Sequence, residues 1–236
     1  MDRGIFVALS GAMLHEKRLE VLTDNLANVN TAGFKMQKPV FEDSMPDAYG
    51  LRSFSSMKST VTDMSQGVAE KTGRPFDVAI MGNGFFAIQT PEGERYTRDG
   101  SFTIGPGGSL VTKQGHPVIG HKGVIKVDTS DVSIDAKGEI KGSGGTAIDS
   151  LKLVGFKNPG TLVRQGSYFS PSVDSAAAPA GGDTQVQQGY IEVSNVNAIR
   201  AMTTMIEAQR SYETQTKMIQ SMDEMTKKTI EEVGRT

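Results

Sequence analysis

From Ser194 to Val233 the chain contains neither glycine nor proline, although its 236 residues hold 27 of the first and 9 of the second. Such an unbroken stretch, opened by the capping residues Ser194 and Asn195, predicts one helix. At about 1.5 Å per residue it would reach 55–60 Å, beyond an ordinary globular helix. Met205, Ala208, Tyr212, Ile219, Met222 and Val233 fall on a heptad-like seam, diluted by Gln215, Thr226 and Thr229. Asp223 and Lys227, like Glu213 and Lys217 or Glu224 and Lys228, are spaced for ion pairs along exposed flanks. Two readings stand: a surface helix lying on some other domain, or a coiled coil with several partners. The length and the two-sided apolar content favour the coiled coil.

A second helical pattern starts the chain. Ile5, Leu9, Ala12, Leu19 and Leu26 keep three-and-four spacing, interrupted by Glu16 and Thr23. Asn25, Asn28 and Asn30 are poor interior helix residues, so the helix should close near Asn28–Thr31, with Gly33 as its stop. The apolar run Ile5–Leu14 mimics a signal peptide, and Ser10-x-Ala12 mimics a cleavage site. Asp2 offsets Arg3, however, and the apolar pattern continues past the charged block 15–18 through Leu19, Leu22 and Leu26. A helix without a cleaved leader is the expectation. No apolar run reaches bilayer-spanning length, so no membrane insertion is expected.

Between these helices the punctuation changes. Residues 36–72, with Pro39, Pro46, Gly50 and the Ser-rich stretch 53–60, read as an extended linker. Residues 73–170 read as an all-β domain of the sandwich or barrel kind. Phe76–Ile80 alternates, Asn83-Gly84 is a hairpin signal, and further turn signals recur at Asp99-Gly100, Pro106–Gly108, Lys137-Gly138 and Gly144-Gly145. Residues 171–193 return as a linker, small and flexible over 171–185. The expected class is α+β. Residues 1–35 and 194–236 are long helices forming an antiparallel coiled-coil domain, with the β domain inserted between them. Neither helical stripe is rich in large aliphatics, and the C-terminal one leans on Met, a side chain that adapts to several partners.

Little chemistry is available. Without cysteine there is no disulfide, thiol nucleophile, Cys-zinc site or iron–sulfur site. Lys+Arg 25 against Asp+Glu 27 gives a net charge of -2, which argues against nucleic acid as a partner. Gly82-Asn83-Gly84 is half a dinucleotide fingerprint in the wrong setting, and Gly115 with Gly120 lacks the lysine of a phosphate loop. His116 and His121, even with Asp128, have no metal-ligand spacing. Tyr96, Arg98, Phe102 and Lys113 read as a strand face with cross-strand pairs. No enzyme activity and no cofactor are expected.

Three blocks carry a resemblance. Leu9–Ala12 with Asn25-Leu-Ala-Asn-Val-Asn-Thr-Ala-Gly-Phe-Lys35 resembles the N-terminal signature of bacterial flagellar axial proteins, the rod and hook family. Gly73–Ile80, Gly84–Ile88 and Arg95-Tyr-Thr-Arg-Asp-Gly-Ser-Phe102 are similar to that family's central β motifs. Gly189-Tyr-Ile-Glu-Val-Ser-Asn-Val-Asn197, Met205–Glu213 and Asp223–Met225 match its C-terminal helix. The short length and the opening Met-Asp-Arg-Gly-Ile are most like the family's proximal rod member. The resemblance implies a structural subunit of the flagellar rod, polymerising with copies of itself and other rod proteins into a hollow drive shaft. It also implies passage through the flagellar type III export apparatus without a cleaved signal, and residence in the periplasmic part of the basal body. Ile5, Leu9, Leu19, Leu26, Met205, Tyr212, Ile219 and Met222 are candidate seam residues of the assembly. Asn25, Asn28 and Asn195 are candidate inter-subunit amides, with local capping an equal alternative. A distal rod or hook-type subunit, a secreted β-domain adhesin and a wall hydrolase riding on the rod remain as other classes.

Overall fold

The computed structural model describes residues 3–44, 54–127, 132–142, 144–171 and 177–234; the side chains of residues 3–7, 43–44 and 54–56 lie outside what it describes. The fold is α+β, and the chain divides into two compact units. A helical unit comprises Met1–Ala27, Gln37–Thr62 and Val196–Thr236. A β unit comprises Asn28–Met36 and Asp63–Asn195.

The helical unit is built from α1 (Arg3–Ala27), α2 (Ala198–Val233) and a hairpin of β1 (Gln37–Ser44) and β2 (Phe54–Thr62). With 36 residues, α2 is about 54 Å long. Its cap is Asn197, whose side-chain oxygen accepts from the Arg200 amide at 2.9 Å; neither Ser194 nor Asn195 takes that role. Several of its threonine hydroxyls donate to the carbonyl four residues back, as Thr216 does to Tyr212 and Thr226 to Met222. That pattern satisfies the hydroxyls at a small cost to the helix. One expected ion pair, Asp223–Lys227, closes at 2.9 Å.

The expectation of a linker over 36–72 is corrected. β1 and β2 pair antiparallel from Gln37 opposite Thr62 to Ser44 opposite Phe54, with a register shift at Val40/Phe41. Lys58 and Glu42 add a cross-strand ion pair at 2.8 Å. Polar side chains on both faces erase the alternation that marks a half-buried strand, and Pro39 is tolerated because a two-stranded ribbon is all edge. Residues 171–193 likewise carry strands: Ala177–Pro179, Gln185–Gln188 and Tyr190–Glu192.

In the β unit, β3 (Ala69–Lys71) pairs with Tyr190–Glu192 and β4 (Val78–Met81) pairs with Gln185–Gln188. A six-stranded sheet runs Val163–Gln165, Tyr168–Ser170, β6 (Gly93–Thr97), β5 (Phe85–Thr90), Leu153–Phe156 and Ala177–Pro179, its neighbours antiparallel. The hairpin expected at Asn83-Gly84 does not form, because β4 and β5 flank that turn but pair elsewhere. The tight hairpin lies one strand later, where Thr90 faces Gly93 across Pro91 and Glu92.

Strand β5 explains why the unit has two cores. Successive side chains of a strand point to opposite faces. Phe86 and Ile88 join a large cluster with Val78, Ile80, Phe102, Leu110, Val118, Ile125 and Leu151. Phe85 and Ala87 join a smaller one with Tyr96, Val154, Leu162 and Phe169. Edge-to-face ring pairs occur on both sides: Phe86–Phe102 at 5.1 Å and Phe85–Phe169 at 5.6 Å. Burial on both faces makes the stretch Phe85–Ile88 read as an unbroken apolar run.

Candidate assembly interface and its buried ion cluster

The helical unit buries little, and what it buries is small. α1 and α2 pack on each other, and among the described residues the buried side chains along them are Ala8, Ala12, Val21 and Asn25 on one and Ala201 and Ala208 on the other. Met205, Tyr212, Ile219 and Met222 are half-buried, continuing the heptad line through Ala201, Ala208, Gln215 and Thr226. Leu19 and Leu26 are also half-buried. Leu9 is exposed, since Ala8 and Ala12 hold the inner face, and Val233 is exposed at the end of α2. The Ile5 side chain lies outside the described part. Gly11 leaves room for the amide of Gln215: a Cβ there would sit 2.5 Å from Gln215 Oε1. Small residues thus allow close approach of the helices, at the cost of buried apolar area.

Exposed apolar side chains also occur on the outer surface of both helices, among charged ones such as Glu207, Arg210, Glu213 and Lys217 on α2. Ile199, Met202 and Ile206 lie together over the first turns of α2, with Ile199 78% exposed; Met218 and Met225 lie further along, and Leu9 and Met13 are exposed on α1. A monomer gains nothing from such side chains in water, and a group such as Ile199, Met202 and Ile206, spaced three and four residues apart, is the kind that marks an interaction surface.

The three candidate amides are occupied within the chain. Asn25 accepts from the Gln37 amide and donates to the Gln37 carbonyl, both at 2.8 Å, imitating a β-bridge between α1 and β1. Asn195 accepts from the Met36 amide at 2.7 Å and donates to the carbonyls of Asp63 at 2.9 Å and Ser65 at 3.1 Å. Asn28 receives the Thr31 hydroxyl and amide in a local turn. Asn25 and Asn195 therefore neither cap a helix nor reach outward with those atoms; they tie segments distant in sequence.

A cluster that the sequence did not flag lies inside the β unit. Lys35 and Glu192 are each 1% exposed and form an ion pair at 2.5 Å. Lys35 also donates to the Ser65 carbonyl at 2.7 Å, and Glu192 Oε1 accepts from the Gly67 amide at 2.8 Å. Arg98, also buried, approaches Glu192 Oε2 at 3.7 Å and donates to the Gly82 carbonyl at 2.6 Å. Burial pushes the Lys35 ammonium below its ordinary pKa against the opposing pull of Glu192, and burial lowers Arg98 in the same way. The loop Asn28–Met36 is seated by more than charge. Phe34 is buried under the Arg164 guanidinium, 4.2 Å from its ring centre, and Gly33 donates to the Glu192 carbonyl at 2.7 Å. Gly33 has φ +68°, and a Cβ there would lie 2.2 Å from the Asp99 amide nitrogen, so only glycine fits.

The expected strand face of Tyr96, Arg98, Phe102 and Lys113 is thus corrected: Arg98 is a buried cation, Phe102 belongs to the large core and Tyr96 to the small one. His116 lies edge-on to Tyr168 at 5.5 Å. Among the described residues no group of His, Asp and Glu could hold a metal ion, and no helix is long and apolar enough to cross a membrane. Asp128 lies outside the described residues.

Comparison with known proteins gives this geometry a context. The family described as Flagella basal body rod protein matches residues 5–35, Flagellar hook protein FlgE/F/G D1 domain matches 79–142, and Flagellar basal body rod FlgEFG protein C-terminal matches 187–232. The chain is 34% identical over 244 residues to the flagellar basal-body rod protein FlgF of Caulobacter vibrioides, covering 100% of this chain and 99% of that protein. It belongs to the flagellar basal-body rod protein family. FlgF of Escherichia coli is 37% identical, with 95% of each chain covered, and FlgG of Bacillus subtilis is 32% identical, covering 95% of this chain and 97% of that one. The chain is accordingly a FlgF-like structural rod protein of the bacterial flagellum. The three matched segments each supply one charge of the buried cluster: Lys35, Arg98 and Glu192. Blocks that resemble the rod family in sequence thus converge in space on one ionic contact of the β unit.

Proposed function

We propose that this rod subunit polymerises with copies of itself and other rod proteins into a hollow shaft that transmits torque, with α1 and α2 as its assembly helices. The observation carrying this is the set of large apolar side chains left exposed on the helices: Leu9 and Met13 on α1, and Ile199, Met202, Ile206, Met218 and Met225 on α2. α1 and α2 act as an antiparallel coiled-coil pair. Gly11 lies 16 residues before the end of α1 and Gln215 lies 17 residues after the start of α2, which supports an in-register return. Ile5, Leu19, Leu26, Met205, Tyr212, Ile219 and Met222 form the seam of that pair, and Leu9 joins the face offered to neighbours.

The subunit works without catalysis, and it reaches the periplasmic rod through the type III export apparatus with no cleaved signal. The absence of cysteine supports that route, because no disulfide can form before passage. Isolated helices are marginal in water, so a helical unit with an alanine-sized core gains its stability when neighbours cover it. Hydrogen exchange on the purified chain at micromolar concentration tests this. Fast exchange in α1 and α2 with slow exchange over 73–160 is expected. Slow exchange throughout would mean that the helices need no neighbour, and coupled folding and assembly would be abandoned.

A further inference from the structure

The chain holds 12 methionines and no cysteine, so all of its sulfur chemistry is thioether chemistry. Those methionines are not distributed evenly in their exposure. On the helices Met13, Met202, Met218 and Met225 are 47–59% exposed, whereas Met205 and Met222 are half-buried along the seam. In the β unit Met36 is half-buried, Met64 packs against the smaller core and Met81 is 37% exposed. A thioether reacts with an oxidant in proportion to its access, and the product is a polar, hydrogen-bond-accepting sulfoxide. Four reactive positions are thus exposed on the helices, Met202 beside Ile199 and Ile206 and Met13 beside Leu9, with Met218 and Met225 further along α2.

We propose that Met13, Met202, Met218 and Met225 form a peroxide-sensitive modification site whose oxidation prevents the unassembled subunit from joining a rod. The sulfur lone pair attacks one oxygen of hydrogen peroxide and the O–O bond breaks. An S–O bond forms, sulfur is oxidised by two electrons, and the remaining oxygen leaves as water with the peroxide protons. The sulfoxide oxygen then stands where an apolar neighbour must pack, and burying that polar group opposes the contact. Incorporation conceals the thioethers, so a finished shaft resists what blocks a free subunit. Methionine sulfoxide reductases reverse the change, which makes it a switch for subunits still outside the rod. The inference rests on the reading of the outer helical face as an assembly surface.

The test treats the purified full-length chain with hydrogen peroxide and maps its peptides for the gain of about 16 Da per oxidised methionine. Treated and untreated chains are then compared in sedimentation with isolated rods that lack this subunit. Oxidation at Met13, Met202, Met218 and Met225 several-fold ahead of Met36, Met64, Met205 and Met222 is expected, together with loss of most co-sedimentation. In the variant M13L/M202L/M218L/M225L, compared with its own untreated sample, peroxide should remove little of whatever co-sedimentation it has. Equal oxidation at all of these sites, unimpaired binding of the oxidised chain, or a leucine variant as peroxide-sensitive as the parent would overturn the proposal. The substitution Ile206→Asp separates the two ideas. If it abolishes co-sedimentation while the oxidised chain still binds, only the oxidation switch fails. If it binds fully, the assembly-face reading fails and takes the switch with it.

Discussion

The two units solve the problem of burial in opposite ways. The β unit closes its own cores: Phe86, Ile88, Phe102 and Leu110 fill one face of β5, Phe85 and Phe169 fill the other, and an ion cluster at Lys35, Arg98 and Glu192 is sealed from solvent. The helical unit buries mainly alanines along its helices and leaves isoleucine and methionine outside. At roughly 25 cal/mol per Å² of apolar surface removed from water, alanine contacts contribute little and the exposed face represents stabilisation not yet realised. A chain built this way carries one unit finished within the molecule and one that is finished by neighbours.

That contrast can be broken most sharply by Leu26→Asp. A carboxylate on the half-buried side of α1 should abolish incorporation into rods and motility, while circular dichroism and hydrogen exchange of the β unit stay as in the parent. Normal motility would refute the seam assignment.

Next in size is Lys35→Ala. Removing one partner of a buried ion pair leaves Glu192 uncompensated, which costs about 3–5 kcal/mol. The effect should appear as a lower urea midpoint of the β unit, and an unchanged midpoint would show that Arg98 alone satisfies Glu192.

Smaller again is the difference between two asparagines. Asn195→Ala strips partners from Met36, Asp63 and Ser65 and should destabilise the β unit by about 2–3 kcal/mol. Asn25→Ala should leave the β unit's urea midpoint untouched, since its two bonds go to Gln37 in the helical unit.

The smallest effect is a pH slope. Burial holds Lys35 below its ordinary 10.5, so the folded chain binds that proton less tightly than the unfolded one. Its contribution to stability therefore rises as pH climbs toward 10.5. Urea midpoints across that range should show an upward component in the parent that Lys35→Met lacks; parallel curves would contradict it.

Legibility differed between the same two regions. Helices were readable because their periodicity is local: spacing in the sequence is spacing on the surface. The hairpin β1–β2 was not, because its polar residues on both faces leave no alternation to see. The turn at Asn83-Gly84 has the residues of a hairpin, yet β4 finds Gln185–Gln188 and β5 finds β6, pairings that local chemistry does not encode. Asn195 has a capping residue's chemistry, but its bonds to Met36, Asp63 and Ser65 leave the cap to Asn197. The ion cluster was invisible for the same reason. Lys35, Arg98 and Glu192 look like surface charges one at a time, and the signal available was that each sits inside a block resembling the rod family.

By itself, then, the sequence determined two terminal helices, a turn-rich β region between them, and the absence of thiol chemistry. Those follow from periodicity, from glycine and proline placement, and from composition, all properties of neighbouring residues. Only the tertiary structure decided which strands pair, which asparagines are ties, which face of α2 stays open and which three charges are hidden together. Each of these depends on bringing residues far apart in the chain into contact, where burial changes the energy of a charge or an amide by more than its local preference does.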